Sequence, residues 1–146
     1  MRPGEEPIAD DELLYRRVPA SADPQRYDPT CGQLNEQAFS PFKNDTTGIS
    51  IDRAKYKSIV DCIKGGNPGK TYFIAILHAE ALRAAGILIE PRPVVPTGYD
   101  PAHAELPQLS YAVRKESKTL ELQRELVRIC GNNVQGPFLT PVDGGT

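Results

Sequence analysis

Apolar residues recur with a helical period in two segments of the chain. In residues 53–64 they fall at i, i+3, i+4 and i+7 and so share one helical face. In residues 116–130 a second stripe has related spacing, i, i+4 and i+7. Each segment is therefore predicted to be a helix, and the apolar positions are Tyr56, Ile59, Val60 and Ile63 in the first and Leu122, Leu126 and Ile129 in the second.

The residues flanking these stripes resemble helix ends. Asp52 is a predicted N-cap because its carboxylate can accept a hydrogen bond from a free backbone N–H and favours the positive end of the helix. Ile51 and Tyr56 have the spacing of a hydrophobic staple around it. Gly65 and Gly131 follow the two stripes, where glycine commonly ends a helix.

Strand patterns surround these helices. Residues 71–77 are rich in aromatic and β-branched side chains, which favours a buried strand. Residues 78–85 are rich in alanine and precede Gly86, which favours a short helix, although a single helix over 72–85 is an alternative. Further strands are predicted at residues 12–18, 37–42, 87–90 and 109–113, with a short helix as the alternative at 12–18.

The order of elements predicts one α+β domain over residues 11–131, with a small mixed sheet and two or three helices packed on it. Residues 1–10 are predicted to be a disordered lead, and residues 132–146, which end near Gly144 and Gly145, a flexible tail. Residues 19–32 form a long predicted loop. The predicted core consists of Leu14, Ile59, Val60, Ile63, Phe73, Ile74, Ile76, Leu82, Ile87, Leu122, Leu126 and Ile129.

Composition restricts the function more than the fold. The chain has 146 residues, enough for one domain, and a net charge of −2, so there is no basic excess typical of a general DNA-binding protein. The longest apolar run, residues 72–77, is too short to cross a membrane. The start of the chain is acidic and has no pattern of a signal peptide, which predicts a cytoplasmic location. The three cysteines are far apart in the sequence, so neither a zinc site nor any other cofactor is predicted.

The segment from Gly65 to Thr71 ends in Gly-Lys-Thr, as a phosphate-binding loop does. Its first glycine is one residue out of place, because Lys64 stands at the required position. The predicted order is also helix, loop, strand, whereas the motif runs from strand to helix. The alternative is a glycine-rich connection between a helix and a strand.

The tripeptide His-Ala-Glu occurs twice and suggests two chemistries. His78 with Glu80, and His103 with Glu105, could together supply metal ligands, although this spacing is not that of a zinc helix. No metal is predicted. In the loop that begins at Asp100, His103 could instead act as a general acid or base near neutral pH. Glu105 would then orient it, and the candidate nucleophiles are Cys31, Ser40 and Ser50.

Arg16 and Arg17 are neighbours on a predicted strand, so their side chains should point to opposite faces. The inward arginine needs a carboxylate or a bound anion, because a buried unpaired charge is costly. One interpretation is a clamp for an anion or a nucleotide phosphate. The other is a structural ion pair with Asp52 or Glu105, which leaves one arginine in solvent.

Several segments together resemble a set of short uncharacterised bacterial proteins. The resemblance covers roughly residues 14–105 and depends on the order of short segments, which are LYRR at 14–17, Phe39 with Ser40, SIDRA at 50–54, Gly86 and DPAHAE at 100–105. It implies a bacterial origin and no particular activity. The polar positions inside the resembling segments are Arg16, Arg17, Ser40, Ser50 and His103.

Two functions follow as hypotheses. The loop-rich, nearly neutral composition suggests a small cytosolic interaction or accessory protein that docks on a protein partner. The alternative is a small enzyme or toxin that acts on a nucleotide-type or RNA substrate. In that case Arg16 and Arg17 would bind phosphate, with Ser40 and Ser50 as further anion-binding groups, and His103 and Glu105 would be catalytic. The sequence alone does not decide whether the protein is an enzyme.

Overall fold

The computed structural model describes residues 1–142. Six strands form one sheet in the order β10-β5-β1-β4-β9-β6, and two pairs of short strands lie outside it. The helices are α1 (Ile59–Lys64), α2 (Ala79–Ala84) and α3 (Ser117–Cys130), with 3₁₀ helices at Glu36–Phe39 and Tyr111–Val113. The strands are β1 (Leu13–Pro19), β2 (Tyr27–Asp28), β3 (Gln33–Leu34), β4 (Ile49–Arg53), β5 (Thr71–His78), β6 (Glu90–Pro91), β7 (Val94–Val95), β8 (Gly98–Tyr99), β9 (His103–Leu106) and β10 (Val134–Leu139).

The predicted α+β class is confirmed, and the strand pairing is simpler than the predicted mixed sheet. Every pair of neighbouring strands in the six-stranded sheet is antiparallel. Antiparallel sheets can bury one face and leave the other in contact with solvent. β1 has this alternation, because Leu14, Arg16 and Val18 are buried while the residues between them are only partly buried.

The main core lies between α2, α3 and one face of the sheet. A smaller apolar cluster joins α1 to the other face, through Cys62, Ile63, Tyr72 and Ile74. Of the predicted core residues, Val60 is 62% exposed and Ile59, Ile76 and Ile129 are only partly buried. The others are buried as predicted, and they are Leu14, Ile63, Phe73, Ile74, Leu82, Ile87, Leu122 and Leu126.

The predicted helix over residues 53–64 is wrong in its first half. Residues up to Arg53 belong to β4, a turn follows, and α1 begins at Ile59. The N-cap is Ser58, whose Oγ accepts a hydrogen bond from the Asp61 amide at 3.2 Å. Asp52 therefore is not a helix cap, and the predicted staple with Ile51 does not form, because both residues are in the sheet.

Other elements also differ locally. The predicted strands at residues 37–42 and 109–113 contain 3₁₀ helices, and the strand predicted at 87–90 is reduced to β6. The predicted elements at 12–18, 71–77, 78–85 and 116–130 are confirmed as β1, β5, α2 and α3. The separate strand and helix at β5 and α2 exclude the alternative of one helix over 72–85.

Both predicted chain ends are more ordered than expected. Ile8 is only 3% exposed and belongs to the main core, so residues 1–10 are not a disordered lead. β10 pairs with β5, which places part of the predicted tail within the sheet. Both errors have one cause, since local polarity does not reveal a contact made with distant residues. Gly144 and Gly145 lie outside the described residues.

Arg53 fastens the first residues of the chain to the sheet. Its guanidinium is fully buried and forms two hydrogen bonds of 2.8 Å with Glu12 and an ion pair of 2.8 Å with Glu6. It also donates to the carbonyls of Gly4 and Glu6. A buried arginine with this many acceptors is fully compensated, so this cluster explains why a polar segment is ordered.

These carboxylates predict a loss of stability in acid. Burial acts to raise the pKa of Glu6, but hydrogen bonds from Tyr56 and the Gly4 amide outweigh it and lower that pKa to about 2. The pKa of Glu12 is also lowered, because the hydrogen bonds from Arg53 and Ala9 outweigh burial. A lowered carboxyl pKa stabilises the fold above the ordinary value of 4.5, and this stabilisation is lost as the pH falls toward about 2.

The melting temperature should therefore fall steeply across this pH interval. The dependence of the melting temperature on pH should be shallower in Glu6→Gln, which removes one of the carboxylates whose pKa is lowered. Thermal unfolding followed by circular dichroism at a series of pH values measures both. An equal slope in Glu6→Gln and the parent would show that the Glu6 carboxylate is not coupled to folding.

Candidate active site

The sheet face against which α1 packs also carries a row of polar side chains beside the helix. The strand registers Tyr15–Asp52, Asp52–His103 and Ser50–Glu105 place these residues on one face. Arg17 lies on the same face, since it alternates with Arg16 along β1. We call this set the polar face, and it consists of Tyr15, Arg17, Ser50, Asp52, His103 and Glu105.

β1 and β4 separate soon after they meet, and Arg16 fills the gap. The two strands pair only at Leu14–Arg53 and Tyr15–Asp52. Arg16 belongs to the core side of β1, yet its Nε donates to the Ala38 carbonyl at 3.1 Å and its Nη1 to the Ser50 carbonyl at 3.0 Å. The side chain therefore extends between the strands, from the core toward β4.

A cleft of about 410 Å³ opens beside this gap. We call it the arginine cleft. Its volume is within the range of small-molecule sites. It is lined by Tyr15, Arg16, Arg17, Pro19, Phe42, Asn44, Asp45, Ser50, Asp52, Asn67 and Tyr72.

The two arginines of the cleft are bound only by backbone carbonyls and an aromatic ring. Arg17 donates from Nη1 to the Cys62 carbonyl at 2.8 Å, and its guanidinium lies 5.4 Å from the centre of the Tyr72 ring. Gly65 permits this approach, because a Cβ there would lie 2.9 Å from Arg17 Nη1. Within residues 1–142, neither Arg16 nor Arg17 forms an ion pair with a carboxylate.

The predicted structural ion pairs with Asp52 or Glu105 are therefore wrong. Asp52 forms an ion pair with Lys57 at 3.3 Å, and Glu105 with Arg92 at 3.2 Å. Both carboxylates already have basic partners, so neither forms an ion pair with Arg16 or Arg17. Arg16 has only 4% of its surface exposed, so its charge is largely removed from water as well.

The charges near Arg16 are of both signs, since Asp45 attracts its guanidinium most strongly while Arg17 and Arg26 repel it. Its pKa is lowered to about 10, first by burial and also by the positive charges of Arg17 and Arg26, while Asp45 acts in the opposite direction. Asp45 is itself partly withdrawn from water, and burial raises the pKa of its carboxyl despite a hydrogen bond from the Phe42 amide. An anion next to Arg16 and Arg17 would relieve this repulsion.

His103 forms a hydrogen-bonded pair with Ser50 at the edge of the cleft. His103 Nδ1 lies 2.7 Å from the Arg92 carbonyl, and Nε2 lies 3.2 Å from Ser50 Oγ. A carbonyl oxygen only accepts, so Nδ1 carries the hydrogen, and Nε2 of the neutral ring is free to accept from the serine hydroxyl.

Glu105 lies close to the imidazole but does not orient it as predicted. Its Oε2 is 3.9 Å from His103 Nε2, and its Oε1 accepts from Thr47 Oγ1 at 2.6 Å. The Arg92 carbonyl, on the opposite nitrogen, determines the ring's tautomer.

The structure thus brings together most of the residues singled out from the sequence. Arg16, Arg17 and Ser50 line one cleft, His103 contacts Ser50, and Glu105 lies beside His103. Ser40 does not belong to this group, because it follows the 3₁₀ helix Glu36–Phe39 and is not part of the cleft lining.

Residues without a sequence signal complete the site. The Arg92 carbonyl is a backbone group, and its role depends on the position of the chain beside β9. Asp45 and Phe42 come from an irregular loop, and Tyr72 was assigned only to a strand. Cys31, the third predicted nucleophile candidate, is exposed and lines a different depression on the surface.

The two histidines predicted as a metal pair are far apart. His78 ends β5 and His103 begins β9, and β1 and β4 lie between these strands. Three strand spacings correspond to about 14 Å, which no single ion bridges. Residues 1–142 contain no group of three or more histidine, cysteine or acidic side chains placed to hold a metal ion.

The glycine-rich segment from Gly65 to Thr71 connects α1 to β5, in the order that argues against a phosphate-binding loop. Its amides are used internally, since Gly69 donates to the Thr140 carbonyl and Asn67 to the Tyr72 hydroxyl. The segment contributes Asn67 to the arginine cleft and otherwise serves as a connection.

Two findings concern the chain as a whole. None of the helices within residues 1–142 has the length and apolar character that crossing a membrane requires. Comparisons of the chain with protein-family models, with curated proteins and with solved structures found no match.

Proposed function

We propose that the protein binds a nucleotide-type phosphate ester in the arginine cleft and acts on it through His103. The observation that carries this proposal is Arg16, a buried guanidinium that forms no ion pair with a carboxylate in the described chain, next to Arg17 at the wall of an open cleft. A phosphate accepts several charge-assisted hydrogen bonds from guanidinium groups and would supply the missing negative charge.

The rest of the lining suits a nucleotide. Tyr15 and Phe42 provide aromatic rings on which any of the four bases can stack. Asn44 and Asn67 provide amides that can both donate and accept hydrogen bonds to a base or ribose. The volume of about 410 Å³ fits one nucleotide better than a long segment of RNA.

Isothermal titration calorimetry with matched ligands tests the proposal. The probes are the four nucleoside 5′-monophosphates, the corresponding nucleosides, sodium sulfate and a single-stranded RNA hexamer. We expect the monophosphates to bind more tightly than their nucleosides, because the phosphate contacts the arginines. Equal affinity for nucleosides and monophosphates, or no heat with any probe, would overturn the proposal. Tight binding of the RNA hexamer alone would show that the ligand is a polymer.

Removing the negative charge of Asp45 is predicted to strengthen phosphate binding. Its carboxylate lies among the lining residues and would repel a phosphate bound to Arg16, so Asp45→Asn should strengthen binding. We expect the affinity for adenosine 5′-monophosphate to increase about three- to tenfold. This corresponds to removing roughly 1 kcal/mol of repulsion between two negative charges in a polar cleft. Titration calorimetry measures it, with Asp23→Asn, outside the cleft, as control. Weaker binding in Asp45→Asn would place the phosphate away from Arg16.

The interaction function suggested by composition stays a second prediction, with no surface assigned to it. A pull-down of the tagged protein, analysed by mass spectrometry, tests it. A stoichiometric protein partner would support it, and recovery of the protein alone or with nucleotide would count against it.

A further inference from the structure

We infer that Ser50 is a nucleophile that accepts the phosphoryl group of a phosphate ester bound in the arginine cleft, with His103 as its general base. This inference rests on the proposed function and adds a covalent step to it. It depends on two contacts of Ser50, whose hydroxyl pairs with His103 and whose backbone carbonyl accepts a hydrogen bond from Arg16.

The first observation is the arrangement around His103. Ser50 Oγ is 3.2 Å from Nε2, and the opposite nitrogen is held by the Arg92 carbonyl at 2.7 Å. A nucleophile within hydrogen-bond reach of a base, which is oriented by a third group, is the general arrangement of activated serines. Here a backbone carbonyl takes the position of the orienting group, so the tautomer does not depend on a side chain that could rotate.

The second observation is that Ser50 is accessible. Ser50 is exposed and lines the cleft, whereas the side chain of His103 is 18% exposed and that of Glu105 12% exposed. The base and its neighbouring carboxylate are therefore partly shielded, while the hydroxyl that would attack is open to a ligand.

The third observation places the electrophile. Arg16 Nη1 donates to the backbone carbonyl of Ser50 at 3.0 Å, so the guanidinium lies next to the residue that carries the hydroxyl. Arg16 and Ser50 both line the cleft, so we place the phosphate that contacts Arg16 within reach of Ser50 Oγ. The arginines would also offset the negative charge that spreads over the phosphate oxygens in the transition state.

The step needs no further co-reactant. Ser50 Oγ attacks phosphorus, and its proton moves to His103 Nε2. The bond from phosphorus to the ester oxygen breaks, and His103 returns the proton to the departing alcohol. Water then attacks the phosphoserine with His103 again as base, which releases phosphate and restores the serine. Glu105 Oε2 lies 3.9 Å from His103 Nε2, beside the nitrogen that holds the proton between these steps.

Covalent labelling tests the inference without knowledge of the natural ester. An alkyl fluorophosphonate presents tetrahedral phosphorus with fluoride as leaving group, and intact-protein and peptide mass spectrometry locate the adduct. We expect modification of Ser50, none at that peptide in Ser50→Ala, and a rate about 10²- to 10⁴-fold lower in His103→Gln, the usual contribution of a general base. Ser40→Ala, a serine outside the cleft lining, should label like the parent.

Protection links the nucleophile to the phosphate site. If the inference is correct, saturation with adenosine 5′-monophosphate should slow the labelling of Ser50. The phosphate of the nucleotide and the phosphorus of the reagent would occupy the same place beside Ser50 Oγ. No label on Ser50, or an undiminished labelling rate in His103→Gln with a parent-like circular dichroism spectrum, would refute Ser50 as a nucleophile activated by His103. Nucleotide binding without protection would overturn phosphoryl transfer from the bound ester.

The two proposals fail in different ways. Ser50→Ala keeps both arginines, so it should still bind nucleotide in the calorimetric titration even though it cannot be labelled. Nucleotide binding with an inert Ser50 would refute this inference alone, and a labelled Ser50 without nucleotide binding would refute the proposed ligand.

Discussion

Arg53→Met is expected to lower the free energy of unfolding by about 3–5 kcal/mol, the usual cost of removing one partner from a buried ion pair. Glu12 has only 8% of its side chain exposed and would keep its charge without the two hydrogen bonds of 2.8 Å that compensate it. Since small domains are stable by only about 5–15 kcal/mol, this loss would be a large fraction of the total stability. Urea unfolding measures the loss.

Three further variants separate the cause from a general loss of packing. Arg53→Lys keeps the charge but not the two-pronged contact, so it should fall between the parent and Arg53→Met. Adding Glu12→Leu to Arg53→Met should recover part of the stability, because the stranded carboxylate is removed. The surface control Arg128→Gln, whose ion pair with Glu125 is largely exposed, should change stability by less than about 1 kcal/mol. A double variant less stable than Arg53→Met would contradict this explanation.

Arg16→Gln is expected to weaken the binding of adenosine 5′-monophosphate by about 10- to 100-fold, which corresponds to the loss of one charged hydrogen bond of about 1.5–3 kcal/mol. Glutamine can still donate to the Ala38 carbonyl, which Arg16 Nε contacts at 3.1 Å, so the fold should be retained. Arg17→Gln should have an effect in the same direction. Titration calorimetry measures the affinity, and circular dichroism checks the fold.

The affinity for the nucleoside distinguishes loss of the phosphate contact from damage to the cleft. Adenosine lacks the phosphate, so its affinity should be the same in Arg16→Gln and in the parent. Arg128→Gln makes the same change of charge far along the chain on α3, and it should leave the affinity for the monophosphate unchanged. An equal loss for adenosine and the monophosphate would mean that Arg16 supports the cleft without contacting phosphate.

The sequence predicts those elements whose stability is local or whose pattern is strong. α3 and β5 follow from apolar periodicity and from side chains that favour strands. The helix over 53–64 fails because Ile51 and Arg53 are needed in β4, where Arg53 reaches Glu12 at a separation of 41 residues. A helical period within a few residues carries no information about such a contact.

The same limit applies to the site. Strand alternation alone singles out Arg16 and Arg17, because an inward arginine requires an anion or a carboxylate. It could not show which interpretation holds, because the competing carboxylates, Asp52 and Glu105, have basic partners from other elements. Ser50 and His103 meet only through the pairing of β4 with β9, and the group that orients His103 is a carbonyl with no residue signature.

A crystal structure of the protein with adenosine 5′-monophosphate would show directly where the phosphate binds. We expect its oxygens to accept hydrogen bonds from Arg16 and Arg17, at about 2.7–2.9 Å from their guanidinium nitrogens, with phosphorus facing Ser50 Oγ. A phosphate bound elsewhere, with both arginines still contacting only the carbonyls of Ala38, Ser50 and Cys62, would contradict the proposed function.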